Sequence, residues 1–329
     1  MKAQKDPSMT IPSPAAIATA AADLQGAVIE TPLLPLTQAR WAGLLPEGAD
    51  VSVKLELFQQ AGSFKARGAL LGIKRLSAED RARGVVAASG GNHALAVAWA
   101  SRQAGIDALI TMPRTVDPVR IEGCRALGAT VDLYDTMADA FTAMEAAAEA
   151  GRTLMHPFEG AHMTLGAATC GAEFARQLPG ADVFVIPVGG GGLIGGVGTA
   201  LKQAQPDARL IGVEPFGADS ITRSRKAGHP VTLDRIDTIA DSLSAPKALP
   251  MSFAVADACI DDMVHIDDDA MRAGMRHYRD ILHLVAEPAC AAALAAICGP
   301  LKSELAGQRV GIIACGSNIG AARWQDLAG

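Results

Sequence analysis

Residues 183–200, VFVIPVGGGGLIGGVGTA, set four consecutive glycines directly after an apolar run. Each glycine gives up backbone entropy on folding, so the turn must need positive φ or a close approach to its main chain. A strand that breaks on glycine into a helix aims free N–H groups at whatever lies beyond it, and a phosphate is the usual guest. This junction commits the chain to the α/β class.

The rest of the 329 residues agrees. Apolar runs alternate with Ala-rich helical stretches: 51–57, 84–88, 107–113, 129–135, 183–187, 208–215 and 309–316 read as strands. That order implies mostly parallel sheets covered by helices on both faces. The length suggests two lobes. We place a small one at 82–157, inserted into a large one built from 1–81 and 158–329. Half the residues are apolar but only 4% aromatic, so Ala, Val, Leu and Ile must build the core.

A net charge of −6 without basic runs argues against a nucleic-acid partner. The longest apolar stretches, such as 289–298, fall short of the roughly 18–20 residues that span a bilayer. MKAQKDPSMT at the start carries no apolar signal region and reads as a frayed tail. The six cysteines form no C-x-x-C pair, which suits reduced thiols in a cytoplasmic protein.

Two readings of the glycine turn compete. GGGLIG (190–195) satisfies the dinucleotide pattern G-x-G-x-x-G, and Glu214 ends the next strand where a ribose-binding acid would lie. A monophosphate needs only the N–H groups. Elsewhere, QQAGSFKARGALLG (59–72) puts Lys65 at a helix start, with Ser63 as its N-cap and Phe64 beside it. A desolvated lysine becomes nucleophilic and can condense with an aldehyde. AASGGNHALAVA (87–98) is another strand-to-helix turn, with Ser89, Asn92 and the Gly90–His93 backbone disposed to receive a carboxylate.

SFKARGA, SGGNHA, HPFEG, VGGGGLIGG, GVEP and CGSN, in that order between about Thr31 and Asn318, resemble the fold-type-II pyridoxal-phosphate enzymes. The likeness is nearest the threonine/serine dehydratase and serine racemase branch. It displaces the dinucleotide reading, which explains neither Lys65 nor the asparagine loop. The resemblance implies a two-lobed fold like the β subunit of tryptophan synthase. It also implies that Lys65 holds pyridoxal 5′-phosphate, Phe64 packs on the ring, Asn92 bonds the ring's 3-oxygen, and Gly189, Gly190, Gly191 and Gly192 surround the phosphate. Cys315 falls where relatives place Ser or Thr at the pyridine nitrogen, with Ser317 as a substitute donor. Ser89, Gly90, Asn92 and His93 would receive the substrate.

The implied activity is a dehydratase that eliminates water from a β-hydroxy amino acid of the threonine/serine type, giving a 2-oxo acid and ammonia. The alternatives are a serine racemase or a hydroxyaspartate dehydratase. Racemases of this branch carry a serine where this chain has Gly90, which favours elimination. HPFEGAHMTLGAAT departs from the usual pattern at Glu159, Ala167 and Ala168, and Ser242 follows Asp241 where glycine is usual. His156, His162 and Arg152 lie near enough in sequence to read a second carboxylate, although structural roles account for them as well. Relatives bind Mg²⁺ or Ca²⁺ at positions matching Glu214, Ala218 and Ser220, where the last carboxylate is missing. Glu287 occupies an inward glutamate position. Family analogy implies a homodimer, and no regulatory domain is expected after Asn318.

Overall fold

The computed structural model describes residues 11–329, so the expected tail at 1–10 lies outside the described residues. In chain order the first strands are β1 (Leu33–Leu36), β2 (Asp50–Lys54), β3 (Val85–Ala88), β4 (Ala108–Pro113) and β5 (Thr130–Tyr134). They are followed by β6 (Thr153–Leu154), β7 (Val183–Pro187), β8 (Arg209–Pro215), β9 (Asp262–Ile266) and β10 (Arg309–Ile313). They form two sheets, ordered β1-β2-β10-β7-β8-β9 and β5-β4-β3-β6. Every pairing is parallel except β1 with β2. Parallel strands covered on both faces read as unbroken apolar runs, and β7 is buried along its whole length.

Alanine does the work that aromatics do elsewhere. The helix Pro288–Cys298, PACAAALAAIC, is buried from Pro288 through Ile297. Its small side chains let it pack closely against β7, β8, β9 and β10. The acid run at 267–269 behaves as a cap: Asp267 accepts from Ala270 N–H at 2.7 Å and starts the helix Asp268–Leu282.

The second core draws on chain outside 82–157. Ile17, Ala20 and Leu24, together with Ala66, Ala69, Leu70, Leu71 and Ile73, share a cluster with the helix Asn92–Ala104 and the inner face of the four-stranded sheet. The helix Lys65–Lys74 therefore packs its body with the smaller sheet. Its entry, at Ser63, bridges to Gly316 just past β10 of the larger one.

Candidate active site

A cavity of about 700 Å³ opens beyond the carboxyl ends of the strands of both sheets. It is walled by the turns after β3 and β7, the start of the helix Lys65–Lys74, and Cys315 beyond β10. Ligands in open α/β sheets collect at such strand ends.

The tetraglycine turn lies on this wall. Gly191 has φ +88°, which only glycine adopts freely, and it precedes the helix Gly192–Ala204 without any side-chain cap. The N–H groups of Gly189, Gly190, Gly191 and Gly192 have no protein acceptor among the described residues. The turn is also sterically closed from behind. A Cβ at Gly190 would sit 2.5 Å from the Phe158 ring, and one at Gly189 would sit 3.0 Å from the Ser242 carbonyl oxygen. Four unpartnered donors at a 13-residue helix N-terminus form a receptor for an anion.

Lys65 is the first residue of its helix, and its N-cap is Phe64, not the expected Ser63. Ser63 has extended backbone and pairs with Gly316, and its buried hydroxyl makes no hydrogen bond among the described residues. The Lys65 ammonium lies 5.0 Å from the centre of the Phe64 ring and donates to the Pro157 carbonyl. Desolvation lowers its pKa from 10.5 to about 8, against the opposing pull of Cys315 and Glu287. Beneath it a buried ionic network fixes the helix. Arg67 reaches both oxygens of Glu56 at 2.7 and 2.9 Å and one of Glu173 at 3.0 Å. Lys54 joins Glu173 and donates to Thr31 O at 2.7 Å. Burial pushes the Glu56 carboxyl up, but the guanidinium outweighs it and holds the group ionised.

The asparagine turn is equipped differently. Ser89 Oγ accepts from Gly91 N–H at 3.2 Å. Asn92 donates to Glu287 Oε1 at 2.5 Å and to Ser242 Oγ at 3.2 Å, and accepts from Asn318 Nδ2 at 2.7 Å. His93 lines the cavity with a fixed tautomer. Its Nε2 faces the Met155 carbonyl at 2.8 Å, an acceptor only, so Nε2 carries the proton and the buried Nδ1 is a bare lone pair. Burial and nearby Lys65 keep the ring neutral. Its side chain therefore cannot donate to a carboxylate, which leaves that work to the backbone amides and Ser89.

Cys315 also lines the cavity, and burial holds its thiol protonated, suiting it as a neutral donor to a ring nitrogen. Ser317 does not serve as expected. Its hydroxyl turns to the Leu57 carbonyl at 3.3 Å and does not line the cavity. Nor do His156, His162 or Arg152 reach the cavity. His156 Nδ1 accepts from Glu159 N–H at 3.0 Å, and Arg152 pairs with Asp107 at 2.5 Å. Glu159 caps the helix Pro250–Asp257 by accepting from Met251 and Ser252 N–H, both at 2.9 Å.

The residues at the expected cation site do not fit a divalent ion. Glu214 faces the start of the helix Ser220–Ala227 and accepts from Ile221 N–H, Thr222 N–H and Thr222 Oγ1 at 2.7–2.9 Å. Burial raises its pKa to about 7. Ser220 adds no charge, and the described residues hold no cluster of three acids, histidines or cysteines able to bind a metal.

Arg120 gave no signal as a lone arginine in a helical run. It lines the cavity, only 5% exposed, and Glu287 lies within 3.6 Å of its guanidinium. Glu287 is buried as well, and burial raises its pKa.

A lysine amine made nucleophilic by desolvation, sharing one cavity with four free amide donors, suits an aldehyde cofactor that carries a phosphate. The chain belongs to the family of pyridoxal-phosphate dependent enzymes, whose pattern matches residues 24–316. Phenylserine dehydratase of Ralstonia pickettii is 43% identical over 95% of each chain. L-threonine ammonia-lyase of Thermotoga maritima is 37% identical over 86% of this chain and 71% of its own. Among solved structures, maize serine racemase superposes with a TM-score of 0.90 at 33% identity, covering 96% of this chain and 97% of that one.

Proposed function

We propose that the protein eliminates water from a β-hydroxy amino acid whose β-substituent is apolar, extending to a phenyl ring, and releases a 2-oxo acid and ammonia. The observation that carries this reading is the pairing of Lys65 with a glycine at position 90. Lys65 supplies one base, and glycine at 90 has no side chain to supply a second, with Val116 Cγ2 standing 2.5 Å from where its Cβ would be. A racemase needs a second proton carrier across Cα, and glycine at 90 offers none.

Bound pyridoxal phosphate acts as an electron sink that acidifies the Cα proton. Lys65 would hold the cofactor, and its free Nζ would take that proton. Gly189–Gly192 would hold its phosphate by their N–H groups, Phe64 would face its ring, and Cys315 would serve as donor to the ring nitrogen. No carboxylate faces that nitrogen at position 315, which limits charge spreading and suits prompt loss of a β-substituent. Ser89 and the amides at 90–93 orient the substrate carboxylate, and residues 82–157 act as the small lobe carrying them.

Val116, Met137 and Phe141 give the cavity an apolar wall, which supports the aryl-accepting reading alongside the phenylserine dehydratase relative. A second substrate carboxylate is less well served. Arg120 is already flanked by Asp241 and Glu287, and the other expected readers lie outside the cavity. A cytoplasmic location agrees with six unpaired thiols. Homodimerisation rests on family analogy, and light scattering tests it.

The deciding assay measures 2-oxo acid from the L and D isomers of serine, threonine, 3-phenylserine and 3-hydroxyaspartate, with chiral analysis of what remains. Release from phenylserine or threonine with the residue still optically pure is expected. Rapid racemisation without 2-oxo acid would refute the proposal.

A further inference from the structure

We infer that Arg120, with Asp117 one helical turn before it, is a positioning residue that ties the carboxylate-receiving turn at 90–92 to the segment following β10. The inference rests on the dehydratase reading for its kinetic consequence but not for its structural one. Both residues belong to the start of the helix Pro118–Ala126, where Asp117 is the N-cap. Asp117 divides its carboxylate. Oδ1 accepts from Val119 N–H at 3.1 Å within the cap, and Oδ2 accepts from Gly320 N–H at 2.7 Å. Arg120 Nε donates to the Asn318 carbonyl at 2.7 Å, and its NH1 donates to the Gly90 carbonyl at 3.2 Å.

Asn318 in turn donates to Asn92 Oδ1 and to the Ala61 carbonyl, both at 2.7 Å. The helix start thus joins the 318–320 segment twice, and that segment holds the asparagine of the receiving turn. A guanidinium can do this because its donors diverge in a fixed plane toward two carbonyls. The acids alongside keep it from acting as an anion reader: Asp241 lies at 3.3 Å and Glu287 at 3.6 Å. Arg120 therefore acts through the backbone of Gly90 and through Asn92. Losing the tie would loosen the grip on substrate in ground and transition state alike, a change read in KM rather than kcat.

Substitutions to lysine and methionine separate charge from geometry. Lysine keeps a cation near Asp241 and Glu287 but cannot bridge both carbonyls. The cofactor-loaded R120K and R120M proteins are each expected to raise KM for the best substrate about tenfold or more, with kcat within about threefold. Hydrogen exchange at 90–92 and 318–320 should speed up in both, with or without cofactor. D117A, which removes the Gly320 acceptor and keeps Arg120, should quicken exchange at 318–320 and raise KM by a smaller factor. It stands as the deciding variant if R120M does not fold.

Wild-type KM with wild-type exchange in R120M or D117A would overturn the inference. So would full rescue by R120K, which would make Arg120 a charge partner only. If the wild-type protein eliminates nothing, the dehydratase reading fails while hydrogen exchange still judges the tie.

Discussion

The turn after β7 and the turn after β3 share a plan, strand to glycine to helix N-terminus, yet they are equipped in opposite ways. The first has no side chains of its own, and its four amides find no acceptor among the described residues. The second is wired, with Asn92 alone bonded to Glu287, Ser242 and Asn318. A bare turn offers fixed donors to a charge that stays in one place. A wired turn is held in place by side chains from other segments. The difference supports the proposed division of labour, with a cofactor phosphate on one side and a substrate carboxylate on the other.

The largest test leaves both turns intact. Lys65→Ala is expected to lower 2-oxo-acid release at least about a thousandfold. Residual activity near wild type would mean that neither turn serves a lysine-held cofactor. The next tests act on the turns themselves. Gly190→Ala drives a methyl into the Phe158 ring, so it should weaken cofactor binding more than tenfold in a spectroscopic titration and destabilise the fold by about 1–3 kcal/mol. Gly90→Ala meets a single methyl of Val116 and should raise KM only severalfold. Adding Val116→Ala should restore it, a rescue unavailable to Gly190→Ala.

Smaller effects come from charge. The Lys65 pKa is about 8 in the fold against 10.5 unfolded, so the unfolded chain holds more protons between those values. Stability of the cofactor-free protein should therefore climb as pH rises from about 8 to 10.5. Lys65→Met should remove that slope and add about 1–2 kcal/mol at neutral pH, read by denaturant melts. His156 and His162 behave in the opposite range. Burial lowers both to about 4 from 6.5, so stability should fall as pH drops through that window. The smallest effect is expected at Glu214, whose carboxylate already caps a helix. Chelation of divalent cations should leave activity and melting temperature unchanged.

Much of this was legible beforehand. Period and glycine punctuation located the long buried strands and both turns, because burial on two faces demands continuous apolar runs. The two-residue β6 left no pattern to read. Lys65 stood out because Phe64 and the glycines around it suit no solvated lysine. Arg120, Lys54 and Arg67 look in sequence like ordinary surface cations. Their meaning resides in partners far along the chain, as Arg120 shows with Asn318. The direction of the Ser317 hydroxyl and the tautomer of His93 lie beyond sequence for a related reason: the Leu57 and Met155 carbonyls set them, and no motif encodes those.

The helix that begins at Lys65 enters from beside one sheet and lies in the core of the other. Split-gene fragments cut near residue 81 would separate this helix from the helices Asn92–Ala104 and Ala161–Gln177 that it packs against, leaving apolar faces of both pieces uncovered. Reassembly in trans would have to rebuild that seam before any turnover returned, so complementation kinetics should follow the docking of a single rod.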